Sequence, residues 1–171
     1  MNFKEYIRVI PDFPQPGIMF KDITTLLKDG AVFREVIQQM KAKVTDLQID
    51  VIAGPEARGF VFGAPLAVEL GVGFIPIRKS GKLPGNTIEA SYNLEYGEDK
   101  LAIHADAIQP GQNVLIVDDL LATGGTIATT ADLIRQAGGN TVGALFLIEL
   151  TYLNGRDVLS PIPVQSLISY S

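Results

Sequence analysis

Val114-Leu115-Ile116-Val117-Asp118-Asp119-Leu120-Leu121-Ala122-Thr123-Gly124-Gly125-Thr126 decides the fold of this chain. Branched apolar residues in succession suit a strand buried on both faces. Two adjacent carboxylates break the run, and after a short loop a Thr/Gly cluster opens a helical pattern. The first backbone N–H groups of a helix lack partners, and the helix dipole favours an anion beside them. Acids and an anion cradle this close together suit a ligand that carries a phosphate with hydroxyls or a metal, as a phosphorylated sugar does. The plain alternative is a capped turn followed by a flexible Gly-Gly joint. Against it stands the order strand, acid pair, glycine pair, helix, which an α/β ligand site requires. A G-x-G-x-x-G fingerprint and a G-x-x-x-x-G-K-[ST] loop are both absent, so the site is neither an ordinary dinucleotide fold nor a P-loop.

Outward from this stretch, strands and helices alternate. Val32, Phe33, Val36, Ile37, Met40 and Val44 recur at helical spacing and predict an amphipathic helix over 31–44. A short buried strand over 50–54 enters the loop Pro55-Glu56-Ala57-Arg58-Gly59, and 60–70 reads as a helix stopped by Gly71. Pro65 falls within that helix, where it must occupy the first turn or kink the chain. A strand over 73–77 precedes a polar stretch, 78–89, too long and hydrophilic for a tight turn. Segments 91–96 and 101–104 alternate like an antiparallel pair. Pro110-Gly111 turns into a strand at 113–117, then a helix over 126–137 capped by Gly138-Gly139, then a strand over 141–148. Upstream, Pro11, Pro14 and Pro16 exclude regular helix from 11–17. The expected fold is α/β, a mostly parallel twisted sheet flanked by helices, with ligands beyond the carboxyl ends of its strands. Asp118, Glu56 and Arg78 then lie just past strand ends and should converge.

Composition narrows the chemistry. A length of 171 residues predicts a single domain over 1–171 with a sizeable core. With 47% hydrophobic and 19% charged residues the chain is neither disordered nor fibrous. No apolar run is long enough to span a membrane, and the N-terminus carries no signal-peptide core, so membrane partners are not expected. The absence of cysteine excludes disulfides and fits a cytoplasmic location. A single histidine, His104, argues against a His-rich metal site and reads as structural or exposed. The net charge of −5 disfavours nucleic acid and points to a small-molecule ligand.

The 114–126 stretch resembles the phosphoribosyl-pyrophosphate motif of type I phosphoribosyltransferases. Three further segments are similar to adenine phosphoribosyltransferases in order and spacing: Phe13-Pro14-Gln15-Pro16-Gly17-Ile18-Met19-Phe20-Lys21-Asp22-Ile23-Thr24, Arg78-Lys79-Ser80-Gly81-Lys82-Leu83-Pro84, and Ala90-Ser91-Tyr92-Asn93-Leu94-Glu95-Tyr96-Gly97. The resemblance covers nearly the whole chain. It implies the type I phosphoribosyltransferase fold, with a small N-terminal hood within 1–30 and a flexible loop with antiparallel strands over 78–104. The implied reaction joins adenine to the phosphoribosyl group of 5-phospho-α-D-ribose 1-diphosphate, giving AMP and pyrophosphate.

Such a transfer develops positive charge on the sugar while pyrophosphate leaves, so the site must hold the sugar, neutralise the leaving group and exclude water. The resemblance assigns the 5′-phosphate to Ala122, Thr123, Gly124, Gly125 and Thr126, and the ribose hydroxyls to Asp118 and Asp119. Pyrophosphate falls to Ala57 and Arg58, in a loop where the family holds a non-proline cis peptide, here between Glu56 and Ala57. It falls also to Arg78, Lys79 and Lys82 of a closing loop. Phe20 and Lys21 match the adenine-binding positions; many relatives have arginine at the second, whose planar fork lysine lacks. Glu95 matches the catalytic glutamate that manages a proton at the purine imidazole. Tyr96 reads equally as a pocket wall or a core tyrosine. The implied cofactor is Mg²⁺, held mainly through substrate and water with no direct protein ligand. Relatives form homodimers, the expected partner state. A 6-oxopurine phosphoribosyltransferase and a non-catalytic regulatory phosphoribosyl-binding protein are the competing readings.

Overall fold

The computed structural model describes residues 1–93 and 97–171. The chain divides into two compact units, Met1–Gln39 and Met40–Ser171. In the first, strands β1 (Arg8–Pro11) and β2 (Met19–Asp22) form an antiparallel hairpin with Arg8 opposite Asp22 and Pro11 opposite Met19. The prolines act as the sequence predicts: Phe13–Pro14 is a cis peptide in the connecting loop, where Asp12 Oδ1 accepts the N–H of Gly17 at 2.9 Å. At the hairpin's open end Asp22 accepts the hydroxyl and N–H of Thr24 and the Arg8 guanidinium. These contacts, Thr24 foremost, hold its carboxyl at about 2 against an ordinary 3.8. Their contribution to stability is complete above the ordinary carboxylate range and is lost as pH falls through the lowered value. A short helix α1 (Thr24–Leu27) follows, then α2 (Gly30–Lys43), matching the helix predicted at 31–44 to within a residue at each end. The carboxylate of Asp29 caps α2 by accepting the N–H groups of Ala31 and Val32.

The second unit is an α/β layer structure. Its elements run β3 (Val51–Pro55), α3 (Arg58–Leu70), β4 (Gly73–Lys79), β5 (Thr87–Asn93), β6 (Glu98–His104), β7 (Asn113–Leu121), α4 (Gly125–Gln136), β8 (Asn140–Leu150), α5 (Gly155–Leu159) and β9 (Val164–Tyr170). Seven strands form one sheet in the order β5-β6-β4-β3-β7-β8-β9. The pairs β3–β4, β3–β7, β7–β8 and β8–β9 are parallel; β5 and β6 join the β4 side antiparallel. Successive residues Val114, Leu115, Ile116 and Val117 are all fully buried, as a strand covered on both faces requires. One face carries Val51, Ala53, Ile75, Ile77, Val114, Ile116 and Phe146 in a cluster with Ile127, Leu133 and Ile134 of α4. Against β3 and β7 packs α3, burying Phe62 and Leu66 completely. The fold is the expected one, a mostly parallel sheet flanked by helices, and a small antiparallel sheet is also present. No described helix is long and apolar enough to cross a membrane.

The structure corrects several expectations. The stretch 78–89 is not all loop: β4 continues through Arg78 and Lys79, because both pair with β6 at Ala102 and Leu101. The antiparallel partners are longer than expected, Thr87 lying opposite His104 and Asn93 opposite Glu98. The central strand does not end at Val117 but carries both aspartates inside it, since pairing with β8 runs on to Leu121 opposite Glu149. Pro65 stands well inside α3 and not in its first turn.

Close packing of α3 rests on a glycine. A Cβ placed on Gly63 would lie 2.6 Å from Cε2 of Phe74, whose ring also meets Phe60 edge-on at 5.5 Å. Gly63→Ala adds about 1 kcal/mol of helix propensity, but the forced ring shift should cost about 1–3 kcal/mol. The expected outcome is a lower Tm for Gly63→Ala and partial recovery with Phe74→Leu in the same chain. A Tm above that of the parent for the single variant would contradict this packing.

Candidate active site

Pairing between β3 and β7 ends at Ala53 and Ile116, although β3 stays paired with β4 through Pro55 before the chain turns into α3. Beyond that point β7 is paired with β8 alone, and this is the part of the strand that carries Asp118 and Asp119. A Cβ on Gly59 would lie 3.1 Å from the carbonyl of Val117 and 3.2 Å from Oδ1 of Asp118. Only a residue without a side chain lets the first turn of α3 reach the aspartates. That approach delivers Arg58, the first residue of α3, whose Nε donates to Oδ2 of Asp119 at 2.7 Å. The arginine side chain keeps 58% of its surface exposed, while Asp119 is buried.

The two aspartates are electrostatically unlike. Asp119 faces the guanidinium. Asp118 accepts the N–H of its neighbour at 2.8 Å, but burial first, then the Asp119 charge, push its carboxyl well above the ordinary range. The Arg58 charge opposes this shift without overcoming it.

Past Leu121 the chain runs through Ala122, Thr123 and Gly124 into α4. Gly124 is at φ +90° and ψ −3°, and no side chain caps the helix. The helix begins with Ala128 N–H donating to the Gly124 carbonyl, so the N–H groups of the first turn have no intrahelical partner. Such a terminus suits an anion. Arg58 and every residue from Asp118 to Ile127 line one open cleft of about 200 Å³. The predicted cradle, Ala122, Thr123, Gly124, Gly125 and Thr126, therefore sits in the same cavity as the predicted acid pair and one predicted pyrophosphate arginine.

The remaining cations are organised by a residue to which sequence reasoning gave no role. The Glu56–Ala57 peptide is cis, as the resemblance implied. Oε1 of Glu56 accepts the N–H of Lys79 at 2.7 Å and lies 3.3 Å from Nε of Arg78. The Lys79 N–H foremost, and the nearby Arg78 and Lys82 charges, lower its carboxyl below the ordinary range. Lys79 Nζ is 3.9 Å from Asp99, and Lys82 closes a turn onto the Lys79 carbonyl. Tyr92 on β5 carries this network to the cradle: its hydroxyl meets Asp99 at 3.3 Å and the hydroxyl of Thr126. The sequence placed Glu56 and Arg78 at neighbouring strand ends, and they do meet, but it gave Glu56 no part in holding Lys79; nothing in the local sequence marks Tyr92.

His104 is structural, its Nε2 donating to the Pro84 carbonyl at 3.0 Å. Phe20 and Lys21 lie on β2 of the N-terminal unit, with Phe20 edge-on to Phe13 at 5.1 Å. Glu95 and Tyr96 fall outside the described residues. Among the described residues no cluster of three or more His, Asp or Glu is gathered for a metal.

A parallel sheet whose carboxyl edge presents an acid pair, an uncapped helix start and an arginine defines a phosphoribosyltransferase. The family model for the phosphoribosyl transferase domain matches residues 22–157. The adenine phosphoribosyltransferase of Brevibacillus brevis is 66% identical over 99% of this chain and 100% of its own length. The crystal structure of the adenine phosphoribosyltransferase of Thermoanaerobacter pseudethanolicus superposes with a TM-score of 0.96 at 54% identity, covering 98% of both chains. That of Saccharomyces cerevisiae, complexed with an imino-altritol bisphosphate and adenine, superposes at 0.89 with 41% identity over 95% of this chain and 94% of its own. The chain belongs to the adenine phosphoribosyltransferase family, transferases of purine salvage.

The unequal aspartates bear on stability. The raised Asp118 pKa means that the unfolded chain ionises this group first, so its cost to stability appears as pH rises above the ordinary carboxylate range. Asp118→Asn should therefore raise Tm at neutral pH by on the order of a few degrees, a gain that vanishes below about pH 4. Thermal melts across pH measure it; a loss of Tm at neutral pH would contradict the assignment.

Proposed function

We propose that the chain transfers the 5-phosphoribosyl group of 5-phospho-α-D-ribose 1-diphosphate to adenine, giving AMP and pyrophosphate, with the cleft at the end of β7 as the sugar-phosphate site. The observation that carries this reading is the uncapped start of α4 sharing one cavity with Asp118, Asp119 and Arg58. The N–H groups of Gly125 and Thr126 and the hydroxyls of Thr123 and Thr126 hold the 5′-phosphate. Asp118 and Asp119 accept the ribose 2′- and 3′-hydroxyls. With the sugar fixed at both ends, C1′ is presented to the base in a reactive orientation. Arg58, the Ala57 N–H, Arg78, Lys79 and Lys82 take up the charge that leaves with pyrophosphate. Glu56, already bonded to Lys79, sets where the last group of cations stands.

Adenine lies against Phe20, with Lys21 beside it, and the N-terminal 1–30 segment serves as a hood. Glu95 takes or shares the imidazole proton as N9 bonds to C1′. The whole of 1–171 acts as one phosphoribosyltransferase domain, working as a homodimer in the cytoplasm.

Mg²⁺ fits this donor set. It is a hard cation that prefers oxygen ligands and retains water, so it would be held mainly through the substrate and water, with Asp118 and Asp119 acting on it through the ribose hydroxyls. When bound with the sugar substrate it neutralises pyrophosphate charge.

The test is pyrophosphate release measured with adenine, hypoxanthine, guanine and xanthine. Adenine should turn over alone or by a wide margin; turnover of hypoxanthine without adenine would overturn the choice of base. Asp118→Asn combined with Asp119→Asn should raise KM for the sugar substrate by about tenfold or more while leaving a folded protein. Glu95→Gln should lower kcat with a smaller effect on KM, and an unchanged kcat would remove Glu95 from the chemistry.

A further inference from the structure

The cradle rests on a segment that the reaction itself does not use. Gly155, the first residue of α5, packs backbone to backbone against the loop between β7 and α4. A Cβ there would lie 2.6 Å from the carbonyl of Ala122 and 2.9 Å from Cδ1 of Leu121. The approach is mutual: a Cβ on Gly124 would lie 3.0 Å from the carbonyl of Gly155 and 3.3 Å from Cβ of Val158. Two residues of the cradle thus lie directly on α5.

The next residue ties α5 to the sheet. Nε and Nη2 of Arg156 donate to Oε1 and Oε2 of Glu149 at 2.6 and 2.8 Å, and Nη1 donates to the Val164 carbonyl at 2.8 Å. Ser166 on β9 donates its hydroxyl to Glu149 Oε2 at 2.8 Å. Glu149 is only 4% exposed and lies on β8 opposite Leu121, the residue that leads into the cradle. The Arg156 side chain keeps 49% of its surface exposed, so the pair is only half-buried and adds little net stability. What a bidentate fork does supply is a fixed geometry.

We infer that Arg156, locked by Glu149, Ser166 and the Val164 carbonyl, is a positioning residue that holds Gly155 beneath Ala122 and Gly124 and so sets the spacing of the N–H groups that receive the sugar 5′-phosphate. The inference rests on the sugar-phosphate reading of the cleft. Its mark is selectivity: displacement of the buttress weakens the phosphate end of the substrate and leaves base recognition alone. The geometry also explains why α5, only a single turn long, needs so large a polar anchor. Its own hydrogen bonds cannot fix it.

The test uses the full chain, with ribose 5-phosphate as a calorimetric probe and steady-state KM values for both substrates. Gly155→Ala should raise the ribose 5-phosphate Kd and the sugar-substrate KM about tenfold or more, with the adenine KM changed less than about twofold. Arg156→Lys keeps the charge, loses the fork and should give the same pattern at about threefold. It also serves if Gly155→Ala does not fold. Gly143→Ala, whose Cβ would press on Leu47 Cδ1 at 3.2 Å at the far end of β8, should lower Tm without moving either constant. Equal increases in Gly143→Ala at matched Tm loss would reduce the effect to general loosening and overturn the inference. So would unchanged constants in Gly155→Ala and Arg156→Lys while Thr126→Val weakens ribose 5-phosphate. If Thr126→Val also leaves ribose 5-phosphate binding unchanged, the cradle reading itself fails and takes the buttress with it.

Discussion

The end of β7 is where backbone must meet backbone, and the rest of the site depends on that constraint. The strand loses its β3 neighbour after Ile116 and keeps β8 through Leu121. From the vacated side α3 arrives with Gly59 against Val117 and Asp118; from beyond the strand α5 arrives with Gly155 against Ala122. A methyl group at either contact would force apart segments whose separation sets where charges and N–H groups stand. The parallel sheet supplies the edge, and the small residues bring the edge into use.

Charge in the cleft is arranged as exchangeable pairs. Arg58 lies on Asp119, Arg78 on Glu56, and Lys79 near Asp99. Three of the four cations assigned to pyrophosphate already face a protein carboxylate. These side chains are largely or partly exposed, so the pairs are weak and readily traded for a ligand of higher charge. Asp118 stands apart: desolvation and the Asp119 charge raise its carboxyl, and the Arg58 charge offsets this only in part.

The layer architecture was legible because each buried strand announces itself as an apolar run, and because the acids and glycines interrupt the central one in a telling order. Strand ends were less legible. Asp118, Asp119, Arg78 and Lys79 look like loop residues by composition, yet hydrogen bonding to β8 or β6 keeps them in the sheet. Ladder partners distant in sequence overrode local polarity. The β1–β2 hairpin and β9 went unread, since Arg8–Pro11 buries no residue and Val164–Tyr170 lacks a clean alternation. The acid pair, the cradle and Arg58 were found by motif. The meeting of Glu56 with Arg78 was expected from their strand ends, but the roles of Tyr92 and the Glu149–Arg156 pair were not read, because their meaning lies in contacts that only the folded chain creates.

The high proton affinity of Asp118 has a further consequence. A carboxyl whose proton affinity is raised by desolvation and a neighbouring carboxylate gives up its proton less readily than its sequence position suggests. A ligand that draws it into the ionised form must expel a hydrogen ion to the solvent. Filling the cleft is then coupled to acidity, and the heat of filling carries the ionisation enthalpy of whatever buffer takes up that ion.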